Sequence, residues 1–302
     1  MVKDKIKSIV EKHMKTTVKD IREVGKGASG NVFYVKISDK PYELAVKTSK
    51  FYDNICKEKK MLEFLQSKAS YKVPETYFLL RDNDIVFFGM EYIKGMSGKS
   101  KYIKFVPSKK HLRNSILSAF INTQNVHNDK FGKFDAPAFN NWADYYKDFF
   151  SGIYEFTKEK YERKEIEPVI MKAVELINRN LDEILKSTEN TACLCHGDFW
   201  MPNLIIDFRK SELAGVVDPF DMLWAEPEYE LFCLTLGFGE KLELYEEYKK
   251  RKQTSKYCDL KVELYALCNE LNWYILLGEM EHGYLLFRSE RLIKRMTESG
   301  LN

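Results

Sequence analysis

No uncharged apolar run in this 302-residue chain reaches the ~20 residues that a bilayer-spanning helix needs, so no membrane partner is expected. Residues 1–6 lead into a charged amphipathic pattern without the apolar core of a signal peptide, and the expected location is the cytoplasm. The six cysteines, Cys56, Cys193, Cys195, Cys233, Cys258 and Cys268, lack the spacings of a disulfide framework and read as reduced thiols. Cys193, Cys195 and His196 have no second ligand pair at finger-like spacing; they read as small side chains on a buried strand entering a loop. An excess of one charge is missing too. The 48 basic residues face 45 acidic ones, and no Lys/Arg run interleaved with aromatics marks a nucleic-acid groove, so nucleic acid is not an expected partner. Internal repeats, low-complexity tracts and a Gly-Lys-[Ser/Thr] phosphate loop before a helix are all absent.

Aromatic side chains are abundant, with 20 Phe, 18 Tyr and 4 Trp, as a well-packed globular chain requires. Residues 4–14 place Ile6, Ile9, Val10 and Met14 on one helical face. Strands follow over 21–24, 31–37 and 42–48, a helix over 53–68, and two more strands over 77–80 and 85–92. Beyond a polar linker the pattern turns helical: about 109–127, 141–164, 166–187, 227–236, 241–252 and 259–286, interrupted by one short hairpin. The expected fold is α+β and two-lobed. A small β-rich lobe spans 1–94 and a larger, mostly α-helical lobe spans 95–302, with a site at their junction.

The hairpin carries the chemistry. His196-Gly197-Asp198-Phe199-Trp200-Met201-Pro202-Asn203 precedes apolar strands 204–207 and 213–217, and Asp218 follows. Phosphoryl transfer needs a carboxylate that accepts the proton of the attacking hydroxyl, and oxygen ligands that hold Mg²⁺ on the nucleotide phosphates. The step from Asp198 to Asn203 matches the Asp-x-x-x-x-Asn loop of protein kinases, with Asp198 as base and Asn203 as metal ligand. A tight hairpin would fold Asp218 back beside Asn203 as the second ligand.

The nucleotide half lies upstream. Gly25-Lys26-Gly27-Ala28-Ser29-Gly30 joins two strands, and its backbone N–H groups are suited to phosphate oxygens; Gly25, Gly27, Ser29 and Gly30 are the candidates. Lys47, after Leu44-Ala45-Val46, stands where kinases carry the lysine that contacts the α- and β-phosphates. Glu58 is the expected ion-pair partner of that lysine, with Glu63 as competitor. Glu91 and Tyr92 end the β-rich lobe, in a stretch that reads either as backbone groups offered to an adenine ring or as an ordinary buried strand.

Together these residues resemble the aminoglycoside phosphotransferase family, protein-kinase-like enzymes that also include choline and fructosamine kinases. The resemblance covers nearly the whole chain and rests most on His196-Gly197-Asp198, Asn203 and Asp218. His-Gly-Asp in place of His-Arg-Asp, with no activation segment after Asp218, implies a small-molecule acceptor. It implies ATP or GTP with Mg²⁺ as cofactors, a hydroxyl-bearing acceptor such as an aminoglycoside-like amino sugar, and a monomer or weak dimer. His196 would fix the loop backbone. His196 to Trp200, His127 with Phe131-Gly132, Trp142, and Asp218-Pro219 leading to Trp224 and Glu230-Leu231 are similar to the fructosamine-kinase branch. Met201-Pro202 and Ala225-Glu226 stand where that branch carries Ser-Gly and Gly-Asp. A ketosamine repair kinase is thus the alternative, and a non-catalytic nucleotide-binding scaffold a third.

For the acceptor, 13 acidic residues face 7 basic ones from Asp221 to Glu281. They read as solvated helix faces or as the lining for a cationic sugar; Asp221, Glu226, Glu230 and Glu270 are the candidates for the lining. Trp200 and Trp273 are candidates to stack on a sugar ring, or else core aromatics.

Overall fold

The computed structural model describes residues 2–27, 30–186, 191–278 and 280–301. Two compact units account for the chain: residues 1–119 with 202–220, and residues 120–201 with 221–302.

In the first unit, helix α1 (Val2–Met14) precedes strands β1 (Val18–Gly27), β2 (Gly30–Ile37) and β3 (Glu43–Ser49), then helix α2 (Tyr52–Lys68) and strands β4 (Thr76–Asp82) and β5 (Ile85–Glu91). The sheet is antiparallel in the order β1-β2-β3-β5-β4. Side chains alternate across it. Phe33, Val35 and Ile37 of β2 and Leu44 and Val46 of β3 form one core with Ile6 and Val10 of α1. Lys47, one residue beyond Val46, therefore leaves the sheet on the opposite face.

The first unit does not end at the expected residue 94. Strand β6 (Met96–Ser97) pairs with β11 (Leu204–Asp207), which pairs with β12 (Glu212–Val216). Further bonds fix the hairpin: Ser108 N–H to Ser211 Oγ at 3.0 Å, His111 to Glu212 at 2.8 Å and Leu213 N–H to Ser115 Oγ at 2.9 Å. These interactions hold 96–115 and the hairpin in one unit. The hairpin turn is closed by the Asp207 carboxylate, which accepts the N–H groups of Arg209 and Lys210, each at 3.1 Å.

Helix α3 (Lys109–Gln124) carries the chain into the second unit, which contains more strand than the helical reading expected. Strands β7 (His127–Asn128), β8 (Phe131–Lys133), β9 (Ala136–Phe139), β10 (Ala192–Cys195) and β13 (Leu223–Ala225) form a sheet in the order β7-β10-β13-β8-β9. Strands of two to four residues are too short to show periodicity in a sequence. Helix α4 (Trp142–Glu162) starts at Asn141, whose side chain accepts the Asp144 N–H at 2.9 Å, and α5 (Pro168–Leu185) has proline in its first turn.

Three expected helices differ. Residues 229–235 are 3₁₀, and 241–252 breaks into α6 (Phe238–Lys241) and α7 (Leu244–Arg251) at Glu243, whose φ is +54°. The long last helix divides into α8 (Cys258–Leu277) and α9 (His282–Glu298), because Gly278 stops α8 in the left-handed region at φ +70°. Among the described residues no helix is long and apolar enough to cross a membrane.

Gly215 of β12 shows how closely the hairpin is packed. A Cβ there would fall 2.6 Å from Ile93 Cδ1 and 2.8 Å from the Lys72 carbonyl oxygen, and the backbone atom cannot swing aside. Gly215→Ala is expected to destabilise the protein by about 1–3 kcal/mol. Gly27→Ala, where a Cβ meets open space, should stay within about 0.5 kcal/mol. Urea midpoints of the two variants check this; equal midpoints would refute the packing account.

Candidate active site

In the first unit, Lys47 is 4% exposed and its ammonium sits 2.8 Å from Glu58 Oε2 and 2.6 Å from Asp218 Oδ1. Burial pulls this ammonium toward neutrality, but the two carboxylates outweigh it and raise its pKa. Glu58 is the partner because it lies on the buried face of α2 with Met61, Leu62 and Leu65. Glu63 faces outward, where it meets Lys59 and Thr76.

Asn203 is buried at the start of the hairpin, and its carbonyl accepts the Val217 N–H at 3.0 Å. Asp218 follows with φ +58°, a left-handed conformation that Asp tolerates. The hairpin thus brings the backbone beside Asp218 back to Asn203, as its spacing predicts. An amide oxygen and a carboxylate are hard donors that suit Mg²⁺, which keeps waters and takes most of its other ligands from substrate phosphates. Among the described residues no cluster of three or more His, Cys, Asp or Glu could hold a metal ion.

The Gly-rich turn joins β1 to β2, with Gly27 opposite Gly30. Gly30 is the position that requires glycine: its φ is +142°, and a Cβ would fall 2.0 Å from the Thr48 carbonyl oxygen. Gly25 and Gly27 have room for a side chain. Ser29 lies outside the described residues. At the end of β5 the Glu91 N–H is held by the Glu75 carbonyl at 2.7 Å, and the Tyr92 ring meets Tyr34 edge-on at 4.8 Å. A cavity of about 320 Å³ opens beside them, lined also by Glu43, Ile93 and Ala214.

In the second unit, β10 delivers the chain into His196-Gly197-Asp198. Glu230, 3% exposed, accepts the His196 N–H at 3.0 Å and the Phe199 N–H at 3.1 Å, so one carboxylate grips the loop on both sides of Asp198. Phe199 is buried against Phe120, with ring centres 5.2 Å apart, and against the His196 ring at 5.9 Å. Burial pushes the Glu230 carboxyl up to about 8; the backbone N–H groups of Phe199 and His196 oppose this and the Asp198 charge adds to it.

Two expected acceptor carboxylates are corrected by their burial. Glu230 holds the loop rather than facing a ligand. Glu226, 1% exposed, accepts from Lys261 Nζ at 2.8 Å and from the Tyr265 hydroxyl, so it belongs to a buried network. Lys261 also reaches Glu228 Oε2 at 2.9 Å. Asp221 and Trp200 are exposed. Glu270 and Trp273 are half-buried, and Glu270 accepts the Glu281 N–H at 3.3 Å. Tyr145, three residues after Trp142 on one helix with their rings 5.2 Å apart, has its hydroxyl pushed up to about 12 by burial and by the charges of Asp221 and Asp148.

Solved structures share this architecture. The aminoglycoside phosphotransferase APH(4)-Ia, crystallised with AMP-PNP and hygromycin B, superposes with a TM-score of 0.75 at 12% identity, over 98% of this chain and 99% of that one. The aminoglycoside phosphotransferase APH(2'')-Ib in its ADP-bound form gives 0.64 at 19% identity, over 99% of each chain. The "putative fructosamine-3-kinase" of Haemophilus somnus 129PT gives 0.71 at 15% identity, over 96% of each. No curated protein matches the sequence significantly. The fold is that of the protein-kinase-like small-molecule phosphotransferases. Residues 1–297 match the fructosamine kinase family, and the chain belongs to that family. It is a phosphotransferase acting on small-molecule hydroxyls.

Glu230 yields a pH prediction. Its folded pKa of about 8 lies above the ordinary 4.5, so its stabilising contribution is complete below about 4.5 and is lost as pH rises through about 8. Wild-type Tm is expected to fall by several degrees between those limits relative to Glu230→Gln, which has no such titration. Parallel pH profiles of Tm for the two proteins would contradict it.

Proposed function

We propose that this protein is an ATP-dependent, Mg²⁺-dependent kinase that phosphorylates a hydroxyl of a ketosamine, a sugar joined to an amine. The observation that carries the catalytic reading is the Lys47 ammonium held between Glu58 and Asp218. A solvated strand lysine would not be buried between two carboxylates. The AMP-PNP and ADP complexes of the structural neighbours support a nucleotide donor. Family membership over 1–297 favours a ketosamine over the aminoglycoside-like acceptor expected first, since the aminoglycoside kinases share the fold at 12–21% identity.

When bound, Mg²⁺-ATP supplies the γ-phosphoryl group and the cation that offsets charge on its oxygens. Lys47, kept in place by Glu58, would hold the nucleotide phosphates, while Asn203 and Asp218 would offer oxygen ligands to the ion. The backbone at Gly25, Gly27 and Gly30 would cover the phosphates, and the chain at Glu91 and Tyr92 would meet the base. Asp198 orients the acceptor hydroxyl and accepts its proton, with its position set by Glu230. Asp221 and Trp200, exposed in the unit that carries Asp198, and the half-buried Glu270 and Trp273 are the acceptor contacts. Positioning and electrostatics supply most of the acceleration. The expected state is a cytoplasmic monomer or weak dimer.

Asp198→Asn is expected to lower kcat by about 10²–10⁴-fold with little change in nucleotide affinity. Asp218→Ala should abolish turnover. The check is phosphate transfer from ATP and GTP, with Mg²⁺, to fructoselysine-type ketosamines and to aminoglycosides side by side. Turnover on aminoglycosides alone would replace the acceptor assignment, and wild-type rates in Asp218→Ala would overturn the metal assignment.

A further inference from the structure

Residues 101–106 consist of two triplets, Lys101-Tyr102-Ile103 and Lys104-Phe105-Val106, each reading lysine, aromatic, branched aliphatic. The chain here forms a 3₁₀ turn over Ile103–Phe105, closed by Phe105 N–H to the Tyr102 carbonyl at 2.9 Å and Val106 N–H to the Ile103 carbonyl at 3.2 Å. Three residues per turn match a three-residue repeat, so each kind of side chain forms its own column. The aliphatic column is the anchor, with Ile103 and Val106 buried. The aromatic column faces outward, with Tyr102 53% and Phe105 64% exposed. The lysines stand with it: Lys101 Nζ is 5.3 Å from the Tyr102 ring centre and Lys104 Nζ is 4.9 Å from that of Phe105.

The charge around this turn is one-sided. Between Glu91 and Asp129 the sequence contains seven Lys and Arg residues and no carboxylate, although the whole chain nets only +3. Among the described residues, no carboxylate pairs with Lys99, Lys101, Lys104, Lys109 or Lys110. Five unneutralised ammonium groups and two outward aromatic rings on a buried anchor are more than a solvated surface requires. Contrary to the expectation from the sequence, lysines interleaved with aromatics do occur here, in a triplet repeat of only two copies.

We propose that the Lys99–Lys110 surface docks this protein on an anionic phospholipid bilayer. Exposed rings on a convex turn can enter the headgroup layer while the lysine stems lie along it and the ammonium groups meet lipid phosphates. Clusters of four to eight basic side chains give this kind of attraction. Single-stranded nucleic acid fits less well. Base stacking needs open ring faces, and here an ammonium stands over each ring; the cluster is lysine throughout, without the planar guanidinium forks that suit bases and phosphates. The expectation of no membrane partner rested on the missing spanning segment, and surface docking needs none.

The test is co-sedimentation of the full chain with vesicles of equal parts phosphatidylglycerol and phosphatidylcholine, against phosphatidylcholine alone, at low and high salt. Wild type is expected to pellet only with the anionic vesicles and to be released by salt. Lys101→Gln with Lys104→Gln should weaken binding about thirtyfold, about fivefold per lysine. Phe105→Ser should weaken it about tenfold or more at unchanged charge. Both variants should keep wild-type Tm and vesicle-free kinase activity, since none of these side chains is in the phosphoryl-transfer site. Wild type left in the supernatant at low salt, variants that bind like wild type, or polyuridylate binding without vesicle binding would each overturn the proposal.

Discussion

One buried ammonium organises the nucleotide half of this kinase. Lys47 meets Glu58, 11 positions away, and Asp218, 171 positions away, so it ties strand, helix and hairpin at one point. Removing a charge from water costs several kcal/mol, and a buried ion pair seldom returns more than it costs. The arrangement is better understood as positioning than as stability. The sheet dictates it: alternation sends Val46 into the core against α1 and Lys47 to the other face.

A second buried ionisable group has the matching role in the other unit. Glu230 spends its acceptor capacity on backbone N–H groups of the His196–Phe199 loop, which fixes the backbone on both sides of Asp198. Both units therefore use the same device, a desolvated ionisable group that fixes an element bearing a candidate site carboxylate. Removing either partner would strand a polar group in the interior.

The acceptor side is built differently. Glu226, Glu228 and Lys261 form a buried cluster with Tyr265, and Trp142 donates its indole N–H to Tyr265 at 2.9 Å. This polar network lies within an aromatic core of Trp142, Tyr146 and Tyr229, so part of the acidic excess after Asp221 is internal. Asp221 and Trp200 remain at the surface, outside that core.

The candidate phosphoryl-transfer residues were legible in the sequence because their spacing is local: five residues from Asp198 to Asn203, and one hairpin on to Asp218. The sequence by itself also determined the first sheet, whose strands are long enough to alternate visibly and are separated by clear turns. Tertiary structure decided what depends on distant packing. Glu58 prevailed over Glu63 because it lies on the buried face of α2; Glu226 and Glu230 became interior groups because partners remote in sequence surround them. The short strands of the second unit and the end of the first unit near Ala119 were hidden for the same reason. Each depends on pairing with β10, β13 or the hairpin, and such pairing is not encoded in any single stretch of chain.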